Sequence, residues 1–352
     1  MEAVACCRHP TYFTMAMEQS RDIENIDRLT YAKPRIDDHT LDDNLLTSPD
    51  SSTKLRPRRL RSSASLGALD RLPAELLTHI FCQLDLSSLS DFRSVNSQAM
   101  DVVEFLPQYQ LIKQHAYTTL CGILQIRTGK WITCEDLAKT ICTSQCQQCG
   151  DFGGYIYLLT CKQVCFLCFT THEFYWPLPP LRATRKYGLN KEVLENVPHM
   201  TVVPGIYSPN VRKARKCVLV DPRSAFEAGI ALHGSISAME ESVADLETRR
   251  EAAYQMRISK HLEQDKSQER LPRRPPNDPV DGRSGNPYRF VAISSVPWFD
   301  KASNDPNWGF HCIACTKKDP EASHWRRKYT VSSFREHLNL LGQIQDGRHQ
   351  AN

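Results

Sequence analysis

At 352 residues the chain has room for two or three modest domains, each able to bury a core of its own. A net charge of +4 is too slight to argue for nucleic acid or a membrane surface, and no apolar run approaches the ~18–20 residues of a bilayer span, so a soluble protein, cytoplasmic and/or nuclear, is expected. Met1–Asp22 holds no continuous apolar core of the secretory kind, so the 14 cysteines are expected as thiols and metal ligands rather than as a disulfide frame.

Residues 1–65 carry scattered charge and few apolar positions with any period, and a disordered tail is predicted. Within it Lys54–Arg61 (KLRPRRLR) suits a nuclear-import signal or an acidic-surface contact, although a solvated charge run is commoner. Leu72–Val95 then reads LPAELLTHIFCQLDLSSLSDFRSV. Leu76, Leu77, Ile80, Phe81 and Leu84 fall on one helical face, and Pro73 suits the first turn, where a missing N–H removes nothing from the ladder. Asp85–Ser88 stops that helix, and Ser88-x-x-Asp91 offers a capping box for the next, in which Leu89, Phe92 and Val95 recur every third residue. On pattern alone this is a small helical subdomain packed on the rest of the chain.

Leu72-Pro73-Ala74-Glu75-Leu76-Leu77, then Ile80-Phe81, Leu84, Leu89 and Val95, resembles an F-box in order and spacing. The resemblance implies three helices over 66–112 that dock a Skp-type adaptor and tether the remainder to a cullin ubiquitin ligase. Leu72, Pro73, Leu76, Ile80, Leu84, Leu89 and Val95 would be the adaptor-binding set. Many F-boxes follow the valine with Cys or Asn and then Trp, whereas this chain has Asn96-Ser97-Gln98-Ala99-Met100.

Downstream, Ala99–Phe105 is predicted as helix ending before Pro107, and Tyr109–Thr119 as another with Leu111, Ile112 and His115 inward. Gly122–Thr133 reads as a helix end and a turn around Gly129. Thr133-Cys134-Glu135-Asp136 has the hydroxyl and acids of a helix start, running to about Ile141.

Cys142–Cys168 (CTSQCQQCGDFGGYIYLLTCKQVCFLC) holds the sharpest signal. Cys146-x2-Cys149 and Cys165-x2-Cys168 have the spacing of a four-cysteine zinc site. Each Cys-x-x-Cys turn sets two thiolates on one side of a tight loop, and two such loops complete a tetrahedron around Zn2+. Gly150 lets the first loop turn back, and Tyr155–Leu159 is a strand between the loops, so a zinc ribbon is predicted. Redox use of the pairs needs a thioredoxin-like βαβ context, which is absent. Four protein ligands leave no position for an activated water, so the metal would be structural. Cys142 and Cys161 are left over, as buried small apolar residues or as replacements within the set, and His172 and Glu173 nearby read as bystanders.

Phe174–Pro180, with three prolines, is predicted as extended, Thr184–Val197 as helix-rich, Pro198–Pro209 as loop or edge strand, Cys217–Val220 as strand, and a helix runs from about Pro222 toward Ile230. Ser237–Arg270 is a long charged helix whose apolar stripe (Met239, Val243, Leu246, Tyr254, Ile258, Leu262) Arg250 interrupts, which suits a solvated arm better than a coiled coil. Leu271–Pro287 is a Pro/Gly/Arg-rich linker. Tyr288–Pro297 follows as a strand. Cys312-x2-Cys315 with His337 on a helix makes a second metal site plausible, against a hydrophobic remnant that folds without metal; His311, His324 and His349 are the candidates for a fourth ligand.

The arrangement also resembles a group of fungal F-box proteins, through Cys149–Gly154, Ala231–Gly234, Gly309–Cys315 and Phe334–His337; in that group a Cys commonly stands where this chain has Leu341. The expected class is α+β: an N-terminal three-helix F-box, a zinc-ribbon-containing mixed domain (113–235), a charged helical arm (236–270), a linker (271–287) and a C-terminal zinc-finger-like module (288–345). The expected function is the substrate-recognition subunit of an SCF-type (Skp, cullin, F-box) E3 ubiquitin ligase, with Zn2+ as structural cofactor and an unknown protein as substrate. Tyr175, Trp176, Trp298 and Trp325 are candidate target anchors, with core packing the commoner role. The alternative is a zinc-dependent nucleic-acid binder or scaffold using Arg326-Arg327-Lys328 beside Trp325, with Arg56–Arg61 and Arg273-Arg274; the dispersed basic residues argue against it. No phosphate-binding glycine loop, Gly-x-Ser-x-Gly elbow or His-Glu-x-x-His is present, so no enzymatic activity is expected.

Overall fold

Leu72–Val95 folds as two short helices, and polar side chains set where each begins. The computed structural model describes residues 26–32, 38–45, 65–207, 213–263, 286, 288–316 and 324–350. Helix α1 (Ala74–Gln83) starts immediately after Pro73. Helix α2 (Leu86–Val95) is capped by Asp85, whose carboxylate accepts the Ser88 N–H at 2.9 Å. The cap therefore lies three residues before the expected Ser88-x-x-Asp91 box, because Asp85 already satisfies that N–H. Asn96 ends α2 and caps α3 (Ser97–Phe105), accepting from Ala99 N at 2.8 Å. The chain thus has its third helix without the Trp.

Pro107 then opens α4 (Pro107–His115), and α5 (Tyr117–Ile126) follows. The single helix expected over 109–119 is two, since Ala116 at φ −140 breaks the turn. Helix α6 (Cys134–Ile141) begins at the capping box of Thr133 and Asp136, as its sequence reads.

These helices do not close a core of their own. Phe81, Leu86, Leu89, Val103, Ile112, Ile123 and Leu137 share one continuous apolar cluster with Ile156, Leu158 and Phe169 of the Cys-rich region and with Ile293 farther along the chain. The division expected at residue 112 therefore does not separate two cores. Strands 155–157 and 162–164 form an antiparallel hairpin, and strand 293–295 pairs along the other edge, Tyr157 opposite Ile293. Helix α7 (Phe166–Thr171) follows the hairpin.

A satellite cluster around Tyr187, Leu189, Val220 and Met239 gathers α8 (Pro180–Tyr187), α9 (Lys191–Glu195), α10 (Pro222–His233) and the start of α11 (Ile236–Glu263). Pro180 opens α8, so two of the three prolines precede a helix and the third begins it, rather than prolonging an extended run. Strands 199–201 and 218–220 pair beside it. Met239 alone is buried in the 28 residues of α11, which behaves as the solvated arm its broken stripe suggests.

By backbone contacts the chain divides into two units, residues 36–307 and a second made of residues 1–35 with 308–352. The boundary falls near Asn307 rather than at the expected linker, because strand 293–295 belongs to the ribbon sheet. The linker (except Asn286), the basic cluster 54–61 and Arg273-Arg274 lie outside the described residues. So do residues 264–270 of the arm.

Two stretches of the expected tail are ordered, which corrects that reading. Leu41 is wholly buried, its N–H bonded to Ile293 O at 3.0 Å. Asp42 accepts from Ser294 Oγ and Ser295 N, each at 2.6 Å. Farther upstream, Thr30 and Tyr31 pair with Cys312 and His311, inside the second unit. One leucine with complementary hydrogen bonds is enough to fix a short segment, and neither feature has a period to read. The second unit is completed by α12 (Val331–Leu341) and the hairpin of strands 344–345 and 348–349.

Candidate functional site

Helix α1 divides its apolar residues between two faces. Phe81 and Cys82 enter the core, and Leu77 and Leu84 pack against it. Leu76 and Ile80, one turn apart, stay 53% and 44% exposed, and Pro73 is exposed beside them. Leu72 is half-buried, and Val95 at the end of α2 is exposed. Leu89 departs from the rest of the predicted set. At 1% exposure it is a core residue, so it can support a docking face but cannot touch a partner; α2 turns it inward together with Leu86. Met100 and Phe105 of α3, outside that set, also face solvent. Single exposed apolar residues are ordinary, but Pro73, Leu76 and Ile80 lie on one helical ridge.

A short turn braces this region. Ser65 Oγ and Leu66 N both donate to Asp70 Oδ2, and Gln98 Nε2 donates to Asp70 Oδ1 at 2.9 Å. Asn96 Nδ2 reaches Ser65 O at 3.3 Å, so the cap of α3 also ties down the chain ahead of α1.

The first thiol cluster comes from two dissimilar loops. In one, Gly150 N donates to Cys146 O at 2.9 Å and Gly150 takes φ +81, the left-handed turn a glycine reaches without strain. In the other, Cys165 caps α7 and its sulfur accepts from Cys168 N at 3.4 Å. The sulfurs of Cys146, Cys149, Cys165 and Cys168 all lie within 4.8 Å of one another. Cys149 and Cys165 are 3.6 Å apart, close to the ~3.8 Å S···S edge of a tetrahedron with Zn–S bonds of about 2.3 Å. None is in a disulfide. Hydrogen bonds from the Cys165 and Cys168 thiols hold Cys146 far below the usual thiol range, while burial pushes Cys149 up.

Cys142 and Cys161 stand outside this group. The Cys142 carbonyl accepts from Trp298 Nε1 at 3.2 Å, and Cys161 is buried, its sulfur 3.6 Å from Thr140 Oγ1. Burial pushes the Cys161 thiol up to about 12, so it stays protonated. His172 and Glu173 are exposed.

The second cluster joins Cys312, Cys315, His337 and His349, so of the three candidates His311, His324 and His349 it is His349 that lies with the other donors. His337 comes from α12 and His349 from the terminal hairpin. His349 Nε2 is 3.5 Å from both sulfurs, and His337 Nε2 is 3.5 Å from Cys315 Sγ. A tetrahedral Zn site with bonds of about 2.3 Å to sulfur and 2.0–2.1 Å to nitrogen has S···N edges of about 3.5 Å. His349 Nδ1 lies 2.9 Å from Gly342 O, an acceptor only, so that nitrogen carries the proton and Nε2 turns its lone pair to the thiols. Tyr329 OH holds His337 Nδ1 at 3.0 Å. The Cys315 thiol donates to Cys312 and, against burial, brings it down to about 4. His311 is buried against Tyr31 instead, its Nδ1 3.0 Å from Arg327 O. The four thiols of the first cluster fit a bound metal ion, as do the thiols and imidazoles of the second with Tyr329 and the Gly342 carbonyl holding its two rings.

The other sequence candidates are partly or wholly buried. Tyr175 and Trp176 are buried, Trp176 Nε1 donating to Phe169 O at 3.0 Å. Trp298 and Trp325 are half-buried. Arg326 is buried with its guanidinium 4.9 Å over the Trp325 ring, and burial lowers Lys328 to about 8. Arg326-Arg327-Lys328 is therefore not an open basic stripe. No helix among the described residues is long and apolar enough to cross a membrane.

Comparison with family models matches residues 69–110 to the F-box domain, so these helices are an F-box. No curated protein and no solved structure matches the chain.

Proposed function

We propose that the chain is the substrate-recognition subunit of an SCF-type E3 ubiquitin ligase. Its F-box would bind a Skp-type adaptor, and through it a cullin, by the exposed ridge of Pro73, Leu76 and Ile80 with Leu72, Leu84 and Val95 at its margins. The carrying observation is the pairing of an F-box with apolar side chains that its own fold leaves bare. Apolar surface of this kind gains most by being covered, at roughly 25 cal/mol per Å2 removed from water. Leu89 supports the face from behind.

Zn2+ is the ion proposed for both clusters, since paired thiolates with thiolate or imidazole partners are its characteristic ligands. Cys146, Cys149, Cys165 and Cys168 would hold one ion, and Cys312, Cys315, His337 and His349 the other. Bound there, the metal supplies folding free energy, on the order of 10 kcal/mol for structural sites, and no catalytic chemistry. In this reading the chain is a non-catalytic adaptor whose zinc-stabilised remainder presents the target protein. The shared core between F-box and ribbon supports it, because a target held on one is fixed relative to the other.

Affinity purification from the chain's own cells with mass spectrometry tests the reading. Adaptor and cullin are expected together with the target, and a preparation that captures neither adaptor nor cullin would sink it.

A further inference from the structure

The two thiol clusters differ in how openly they meet solvent. In the second, Cys312, Cys315 and His337 are buried and His349 is half-buried. In the first, Cys146, Cys165 and Cys168 are buried as well, but Cys149 is exposed. It sits in a knuckle whose other members, Gln147, Gln148 and Gly150, are exposed too. A side chain added at Gly150 would meet nothing within 4 Å, so the space beside the knuckle is open.

That difference has a chemical consequence. A thiol that holds a metal ion is deprotonated outright, and the thiolate is the form that attacks a peroxide. Such attack needs access as well as charge. Among the candidate ligand thiols, Cys149 alone is exposed, and Cys165 Sγ stands 3.6 Å from its sulfur. A disulfide brings two sulfurs to about 2.05 Å, so a movement of roughly 2 Å by an exposed knuckle joins them.

We propose that the first cluster is a peroxide-sensitive switch that opens at Cys149, while the second is sheltered. The Cys149 thiolate attacks one oxygen of hydrogen peroxide, the O–O bond breaks, and a sulfenic acid and hydroxide result. The Cys165 thiolate then attacks the Cys149 sulfur, the S–O bond breaks, and a second hydroxide leaves. Each sulfur gives up one electron, peroxide takes both, and the two hydroxides take protons from the buffer. Cys146 and Cys168 are then two donors short of the tetrahedral set, and the cluster releases its ion. A dithiol reductant restores both thiols by exchange. Cys146, Cys165 and Cys168 lie in the same apolar cluster as Phe81 and Leu86, so opening the switch loosens the core beneath the F-box. This rests on the zinc reading of the two clusters and adds a control to one of them.

The test is treatment of the full zinc-loaded chain with hydrogen peroxide, read by a chromogenic zinc chelator and by mass-spectrometric disulfide mapping. Loss of one of the two ions is expected, together with a Cys149–Cys165 disulfide, and a dithiol with fresh zinc should reverse both. His349→Ala, which carries the first ion only, should release it at the wild-type rate. Cys149→Ser, which carries the second only, should keep its ion over the same interval. The disulfide map is taken on the wild type, so it depends on no variant's folding. Release of both ions together, no release, release from Cys149→Ser as fast as from the wild type, or a disulfide that omits Cys149 would each overturn the proposal. A chain that holds no zinc before treatment overturns the metal reading with it, whereas bound zinc that resists peroxide removes the switch alone.

Discussion

Cys315 Sγ and His349 Nε2 stand 3.5 Å apart although 34 positions separate them in the chain. That contact completes the second cluster, in which His349 is the proposed fourth ligand beside Cys312, Cys315 and His337. His349→Ala should therefore lower zinc content from two ions per chain to one, measured by mass spectrometry of the native protein. Cys149→Ser should remove the other ion and leave the C-terminal one. Loss of both ions from either single variant would contradict independent sites.

Chelation should act differently on the two ends of the chain. Thr30 pairs with Cys312, itself a proposed ligand, so chelating the wild type, or losing the C-terminal ion through His349→Ala, should expose the amides of residues 29–31 to hydrogen exchange. Leu41, held by Ile293 O in the other unit, should keep its protection when only the C-terminal site is emptied.

Leu89 and Leu76 separate stability from docking. Leu89→Ala opens a cavity in the shared core and should cost about 2–5 kcal/mol in denaturant unfolding. Leu76→Asp with Ile80→Asp changes exposed positions, and should leave the unfolding midpoint within experimental scatter.

Asp42 gives the fold a pH dependence of its own. Burial raises its carboxyl to about 6, against the hydrogen bonds from Ser294 and Ser295. The folded state thus holds this proton where the unfolded chain has lost it. Its contribution to stability is fully present below about pH 4 and fades as pH rises to about 6, by at most ~3 kcal/mol. Asp42→Asn should abolish that slope in urea titrations across this window. An unchanged slope would locate the dependence elsewhere.

What the sequence makes legible here is local. Cys146-x2-Cys149 and Cys165-x2-Cys168 place their thiols within single turns, so spacing alone identifies the set. The Thr133–Asp136 box likewise depends on four neighbouring residues. His349 was one of three candidates because its approach depends on a hairpin of Ile344–Gln345 with Arg348–His349, and no spacing rule covers it. Leu41 and Thr30 bond to residues far along the chain, where neither periodicity nor turn chemistry reaches. Leu89 shows the limit within the F-box itself. The motif gives its position, but only the packing of α2 tells a supporting leucine from a contacting one.

The bare ridge of α1 is the surface proposed to bind a Skp-type adaptor. The most direct measurement is isothermal titration of the purified full chain with recombinant adaptor, beside the Leu76→Asp, Ile80→Asp variant. Saturable one-to-one binding is expected for the wild type and none for the variant, whose folding and zinc content should match. Equal affinity for both proteins, or no binding by either, would contradict it.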